Sequence, residues 1–452
     1  MKKIYHFLVP ELVPLDNKGE EAIVRGIGDV IFPEGNYEIH LFDEVENYRF
    51  FNGIHVYPVK WFISPWLNRE FGFGLNSEKI RDSAQSLIRN ALHKVYPQWV
   101  RFKDRSLIRT LSCLKEIHST GRINSTYAGL ENILKLDYII AGHDGAMDER
   151  VCHVIEGLQE IRSIPFGVFG IEFPLIFKSE YIVSEQYRVL KSAEFFFCRT
   201  NASKKVVEKY FPSINAFVRP DPAFGMKPED SLAVDTYLES RGLLNIFEKP
   251  VVLCTTCETG PISRFCFNNE ASPGQRLYAH RKFYADLINH VLENHNVNIL
   301  FLPHALGPGQ ALDDTYVASE VIRLVNSHDR VHLLQDDISA KLLKGIIAKG
   351  SFLIAERIHS MIGAVGVGTP FLCLGSKTDR RIEGIICEMV HARSSVYYMN
   401  DPDTHEAIKK LDYLFLNRAY EADRLNEVFS IISSEHALAA SEIKQRLGLT
   451  SK

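Results

Sequence analysis

The strongest constraint on this chain is its rhythm. Short, wholly apolar runs alternate with segments whose apolar residues recur at helical spacing, from the first residues to beyond position 400. A run too short for a helix and without polar alternation reads as a strand buried on both faces. Strands of that kind belong to parallel sheets covered by crossover helices. In the first half the runs fall at 4–9, 38–42, 138–141, 166–169, 195–198 and 216–218, with helical stretches at 20–28, 150–160 and 202–210. After Pro250 a second alternation follows: strands at 251–255, 298–302, 331–334, 352–355, 371–374 and 396–399, and helices at 277–293, 315–326, 339–348 and 403–411. A chain of 452 residues exceeds what one core usually supports. The expectation is an α/β fold of two Rossmann-like, doubly wound domains facing each other across a cleft. The first spans 1–240, the second 241–415, and C-terminal helices cover 416–452.

One segment breaks the rhythm. Residues 61–126 open with W-F-I-S-P-W-L-N-R-E-F-G-F-G and continue into basic amphipathic stretches. We read a helical insertion. Its aromatics either pack on their own domain or meet a sugar or lipid-linked acceptor, which would bring peripheral membrane association with it.

Charge and cysteines narrow the function. A net charge of −4 leaves no basic footprint for nucleic acid. An anionic ligand therefore needs a local pocket of Arg, Lys or His. The eight cysteines are scattered and read as buried thiols, not as a disulfide framework. Cys254 and Cys257 form one C-x-x-C with no second pair at zinc spacing, so no metal site is read here. The apolar stretch after M-K-K is too short for a signal peptide, and no run reaches the length of a transmembrane helix. A reducing cytoplasmic setting is the expectation.

In doubly wound sheets, ligands sit beyond the carboxyl ends of the strands. The richest strand end is F-L-I-A-E-R-I-H-S-M-I-G-A-V-G-V-G-T-P-F-L-C-L-G-S-K. If Arg357 to His359 is extended, the Arg357 and His359 side chains share a face, with Ser360 capping the helix that follows. Guanidinium, imidazole and helix start together suit a carboxylate or phosphate. The structural alternative is an Arg357–Glu356 ion pair with His359 as cap. Arg199 ends another buried strand, with Asn201 placed to cap the next helix. His304 ends the strand in F-L-P-H, Lys377 ends L-C-L-G-S-K, and Asp221 sits in a proline-fixed turn, where a structural role is favoured. Asn17 and Gly19 lie at a helix start after the first strand. Gly142, His143, Asp144 and Gly145 follow another strand, where a carboxylate could orient a hydroxyl or accept its proton.

In order, these segments resemble the polysaccharide pyruvyl transferase family. The matching elements are the N-K-G-E-E-A-I start at Asn17, the glycine motif at 142–145, Arg199 with Ser203, D-P-A-F at 221–224, P-H at 303–304, R-I-H-S at 357–360, G-T-P at 368–370 and Lys377. The resemblance implies a GT-B-like fold and an enzyme that moves pyruvate from phosphoenolpyruvate onto a sugar of a cell-surface polysaccharide or its precursor, forming a ketal. It implies that Arg199, Arg357, His359, Ser360 and Lys377 hold phosphoenolpyruvate, with His359 as general acid. Asn17, Gly19, His143, Asp144 and His304 then face the acceptor, and Asp144 orients or deprotonates its hydroxyl. No cofactor and no metal enter this scheme. Departures from the family pattern, Glu20 in the first motif, G-H-D-G in the second and Thr200 after Arg199, bear on the acceptor. Two other readings suit the same fold: a nucleotide-sugar glycosyltransferase or epimerase, and a non-catalytic glycan-binding protein.

Overall fold

The computed structural model describes residues 3–62, 105–123, 125–142, 149–173, 180–258, 272–307, 312–400 and 402–449. Two sheets organise them. The first contains β1 (Tyr5–Leu12), β2 (Tyr37–Asp43), β3 (Arg49–Phe51), β4 (Ile54–Pro58), β5 (Tyr138–Ala141), β6 (Phe166–Ile171), β7 (Phe196–Cys198) and β8 (Phe217–Val218). Their order is β3-β4-β2-β1-β5-β6-β7-β8, parallel throughout except for β3 against β4. The second contains β9 (Val251–Thr255), β10 (Asn298–Phe301), β11 (Val331–Leu333), β12 (Phe352–Ala355), β13 (Phe371–Gly375) and β14 (Val396–Tyr398). Its order, β11-β10-β9-β12-β13-β14, is wholly parallel. This is the doubly wound arrangement in which the chain reverses direction across the sheet between its first and fourth strands, here β9 and β12.

The apolar runs became strands because both faces of each sheet are covered. β4, β5, β6, β9, β12 and β13 are buried along their whole length. The β3–β4 hairpin was not expected. Its signal is Asn52-Gly53, whose φ values of 49° and 75° fit a two-residue primed turn. The histidine and tyrosine in I-H-V-Y-P hid a strand that is in fact fully buried.

The compact units are discontinuous in the chain, where the sequence reading drew contiguous ones. One comprises Met1–Pro14, Phe32–Val218 and Glu442–Lys452; the other comprises Leu15–Ile31 and Arg219–Ser441. The helix Lys18–Ile31 thus follows β1 in sequence but packs in the second unit. Every residue of this helix except Glu20 is buried there. Its buried charges are matched: Arg25 Nε donates to Glu21 Oε1 at 2.6 Å, and Glu21 Oε2 accepts from the Ala340 N–H at 3.1 Å. Asp29 Oδ2 accepts from the Lys227 N–H at 2.9 Å.

Most of the insertion lies outside the described residues, including its aromatic run beyond Phe62 and the stretch 78–94. Trp61 packs on the first core and meets the Tyr127 ring edge-on at 5.3 Å. The helix Arg105–Thr120 follows. No described helix is long and apolar enough to cross a membrane.

The seat of the Lys18–Ile31 helix depends on Gly26, where an added Cβ would lie 2.0 Å from the Pro222 carbonyl oxygen. Gly26→Ala should cost about 1–3 kcal/mol, the range for forcing a methyl into a filled interior. Gly274→Ala, where a Cβ meets nothing within 4 Å, should be neutral or stabilising in the same urea titration.

Candidate active site

The site grows from the carboxyl ends of β9, β10 and β12, at the switch point of the second sheet. After Ala355 the chain leaves the sheet through Glu356 and Arg357 and enters the helix Ile358–Val365. Arg357 is extended (φ −88°, ψ 121°) and stands at the N-cap position, while His359 is already helical. The expectation that the two share a strand face is therefore corrected, as is the cap assigned to Ser360. Ser360 lies inside the first turn because the Arg357 carbonyl already accepts from its backbone N–H, at 3.1 Å. Its hydroxyl donates to the same carbonyl at 2.6 Å and bonds Thr255 Oγ1 at 3.0 Å, fastening the exit of β12 to β9.

Arg357 does not pair with Glu356. Its Nε lies 3.2 and 3.1 Å from the two oxygens of Asp314, and its Nη2 donates to Asp314 Oδ1 at 2.5 Å. Glu356 turns away, to His280 Nε2 at 2.6 Å and the Cys257 N–H at 2.5 Å. Asp314 Oδ2 also accepts from the N–H groups of His304 and Ala305, at 2.9 and 3.0 Å. One buried carboxylate thus holds the β12 arginine and the loop after β10. The sequence reading missed Asp314, since D-D-T reads as a helix cap. Asp313 is that cap, accepting from the Thr315 and Tyr316 N–H groups, and Asp314 is left to face the site.

The amino end of the Lys18–Ile31 helix closes the arrangement. Asn17 pairs with Ala305 in an isolated bridge, and the Lys18 N–H donates to the His304 carbonyl at 2.7 Å. Asn17 Oδ1 accepts from the Gly19 N–H at 3.1 Å. A Cβ on Gly19 would sit 2.3 Å from His359 Nδ1, so only glycine lets the imidazole approach this turn. Asn17, Gly19, His304, Arg357, His359 and Ser360, singled out from sequence, are therefore gathered in one place.

His304 is the most telling of them. It is 5% exposed, and neither ring nitrogen has a hydrogen-bond partner among the described residues. Burial, with Arg357, His359 and Lys18 nearby, pushes its pKa well below the usual histidine value. It lines a small cavity with Lys18, Lys344 and His359, walled by Ala22, Leu343 and Ile347. Lys344 was also missed, lying on an apolar helix face. Its ammonium donates to the carbonyls of Phe224 and Met226, at 2.9 and 2.6 Å, and burial lowers its pKa to about 7.

The other expected residues fall on other strand ends and turns. Arg199, in the first unit, is fully buried with its Nε 3.4 Å from Glu172 Oε2. Thr200, not Asn201, caps the helix Asn201–Tyr210 and also donates to Glu172. Asp221 accepts from the Ala223 N–H and fixes its turn, as expected of a structural residue. Lys377 is exposed, and its N–H donates to Asn400 Oδ1 at 2.9 Å. His143, Asp144 and Gly145 lie outside the described residues. Gly142 donates to Glu11 Oε1 at 3.0 Å, and a Cβ there would lie 1.7 Å from the Phe169 carbonyl oxygen.

A family model described as polysaccharide pyruvyl transferase matches residues 17–378. No curated protein matches the sequence. Solved structures match in fold at low identity. An α,α-trehalose 6-phosphate synthase from Burkholderia multivorans is 10% identical with a TM-score of 0.53, each chain covered completely. The trehalose-6-phosphate structure from E. coli bound with UDP-2-fluoro glucose is 10% identical at TM-score 0.51, covering 99% of this chain and 100% of that one. A UDP-GlcNAc 2-epimerase from Neisseria meningitidis is 12% identical at TM-score 0.50, again with full coverage of both. The fold is GT-B-like.

The state of His304 sets a pH dependence. In the unfolded chain a histidine takes up its proton near pH 6.5, whereas the folded site resists protonation to lower pH. The stability that His304 contributes is present above about pH 6.5 and is lost as pH falls toward its folded pKa, with a slope of up to about 1.4 kcal/mol per pH unit. In urea titrations between pH 7 and 5.5, His304→Gln should lose less stability on acidification than the parent. An unchanged slope would show that this imidazole does not titrate as its burial requires.

Proposed function

This chain belongs to the polysaccharide pyruvyl transferase family, and from that premise we propose that it moves pyruvate from phosphoenolpyruvate onto two hydroxyls of one sugar, forming a ketal. The observation that carries this reading is the buried His304, with both ring nitrogens unpartnered among the described residues, beside Arg357, His359 and Lys18. A recess with basic side chains and unmatched hydrogen-bonding atoms suits a small, highly charged anion. As a member of the family, the chain is a transferase enzyme with a sugar or polysaccharide acceptor.

The chemistry asks for two things. The donor's carboxylate and phosphate must be held, and C3 of its enol must receive a proton. Asp314 takes Nε and Nη2 of Arg357, leaving Nη1 for a donor oxygen, with the guanidinium fixed in advance. The positive end of the Ile358–Val365 helix dipole adds to the attraction. His359, in the first turn of that helix, protonates C3, a task suited to an imidazole. The oxocarbenium-like C2 is attacked by one acceptor hydroxyl. Phosphate then leaves as the second hydroxyl closes the ring. Of the two hydroxyl protons released, one balances the proton gained at C3 and the other departs with phosphate. This scheme runs without cofactor or metal. Asp144 remains our choice for orienting the acceptor. Arg199, at the end of β7 beside Glu172, stays our donor-binding candidate from the first unit. The seven described cysteines are free thiols, which supports a reducing, cytoplasmic setting.

The test is thermal stabilisation by phosphoenolpyruvate, beside uridine and guanosine diphosphate sugars. A ligand at about 100 times its dissociation constant stabilises by roughly 2.7 kcal/mol. Removing Arg357 would strand Asp314 as a buried, unpaired charge, at about 3–5 kcal/mol, so His359→Gln is the cleaner variant. Phosphoenolpyruvate should raise the melting temperature of the parent, less so that of His359→Gln, and turnover should vanish in the variant. Stabilisation by a nucleotide sugar alone would transfer the assignment to glycosyl transfer.

A further inference from the structure

A second cluster lies in the first unit, far along the strands from their carboxyl ends. His6 on β1, Glu38 and His40 on β2, and His55 on β4 point to one face of three adjacent parallel strands. The register places them together: His6 is opposite Glu38, and His40 is opposite His55. The ligand-capable atoms of the three histidines lie within 4.8 Å of one another. His6 Nδ1 is 3.1 Å from His40 Nε2 and 3.5 Å from Glu38 Oε2, and His55 Nε2 is 2.7 Å from the same carboxylate oxygen. We propose that His6, Glu38, His40 and His55 form a binding site for one divalent transition-metal ion of the zinc type.

Donor atoms bound tetrahedrally to zinc at about 2.0–2.2 Å lie roughly 3.3 Å apart, close to the His6–His40 and His6–Glu38 separations of 3.1 and 3.5 Å, and the His55–Glu38 pair at 2.7 Å would open slightly around an ion. The donor set, three imidazoles and a carboxylate, is one that zinc accepts. The outer hydrogen bonds are those a metal site needs. The other nitrogen of His40 meets the Tyr57 hydroxyl at 2.9 Å, and that of His55 meets the Tyr48 hydroxyl at 2.7 Å. Such partners fix the tautomer and aim the opposite nitrogen at the ion. Tyr48 is itself held by Asn132 Nδ2 at 3.2 Å.

Charge is the second argument. Among the described residues no lysine or arginine pairs with Glu38; its partners are the histidines. A carboxylate set among imidazoles offers a negative donor to a divalent cation. His6 and Glu38 keep 15% and 23% of their side-chain surface exposed, which leaves a way in. The cluster sits toward the amino ends of the strands, whereas substrates of such sheets bind at the carboxyl ends. The ion therefore braces the β1-β2-β4 side of the sheet and takes no part in the transfer reaction. Dispersed over 50 residues of sequence, these ligands match no metal-binding spacing, so the sequence alone gave no sign of them.

The test uses the full chain, stripped with a chelator and titrated with cobalt(II) under an absorption spectrometer. One equivalent should bind with the visible bands of tetrahedral coordination and no thiolate charge transfer, zinc should displace it, and either ion should raise the melting temperature. Glu38→Gln and His55→Ala should abolish or weaken binding by at least about 10-fold, and Tyr48→Phe by about 10–100-fold, each with unchanged far-ultraviolet circular dichroism. Absence of stoichiometric binding to the folded, stripped protein would overturn the proposal. So would binding that persists in Glu38→Gln, or a thiolate spectrum that moves the ion to Cys254 and Cys257.

Discussion

The second unit is built around one buried carboxylate. Asp314 accepts hydrogen bonds from the guanidinium of Arg357 and from two consecutive backbone N–H groups, those of His304 and Ala305. Its removal would leave an uncompensated arginine and two orphan donors in the interior, each costly on its own. With it in place, the exit of β12 and the exit of β10 are fixed relative to each other, and the His304 ring is held where nothing else in the described chain satisfies it. Ser360 and Thr255 extend the same fastening to β9.

Positive charge is concentrated where the fold can tolerate it only with help. Lys18 finds the Leu15 carbonyl at 2.7 Å and an ion pair with Asp337, and Lys344 finds the carbonyls of Phe224 and Met226. The cavity beside His304 and His359 is thus lined by two basic side chains, Lys18 and Lys344, although the chain as a whole is acidic. In a protein of net negative charge, an anion is drawn by such a local grouping and not by the overall charge.

The sheets were legible because burial on both faces writes itself as uninterrupted apolar runs. β5, β9 and β12 coincide with the expected strands, and most other expected strands differ by a residue or two at their ends. What escaped depends on partners distant in sequence. Asp314 and Lys344 were not singled out, because their roles depend on Arg357, 43 positions away, and on Phe224 and Met226, 120 and 118 positions away. The Lys18–Ile31 helix was visible, but its membership of the second unit was not, since connectivity suggests that a helix belongs with the strand before it. At the site, R-I-H-S announced the important residues, but a helix that begins at Ile358 changed their geometry. Arg357 faces Asp314 and His359 rises from the first turn, a placement that strand alternation could not give.

The most direct measurement is a crystal structure of the protein with phosphoenolpyruvate. The account predicts its anionic groups within hydrogen-bonding distance, about 2.7–3.2 Å, of Arg357 and of the His304 or His359 ring, with the Arg357–Asp314 pair intact. Phosphoenolpyruvate bound away from these residues, or a nucleoside diphosphate occupying the same recess in its place, would contradict it.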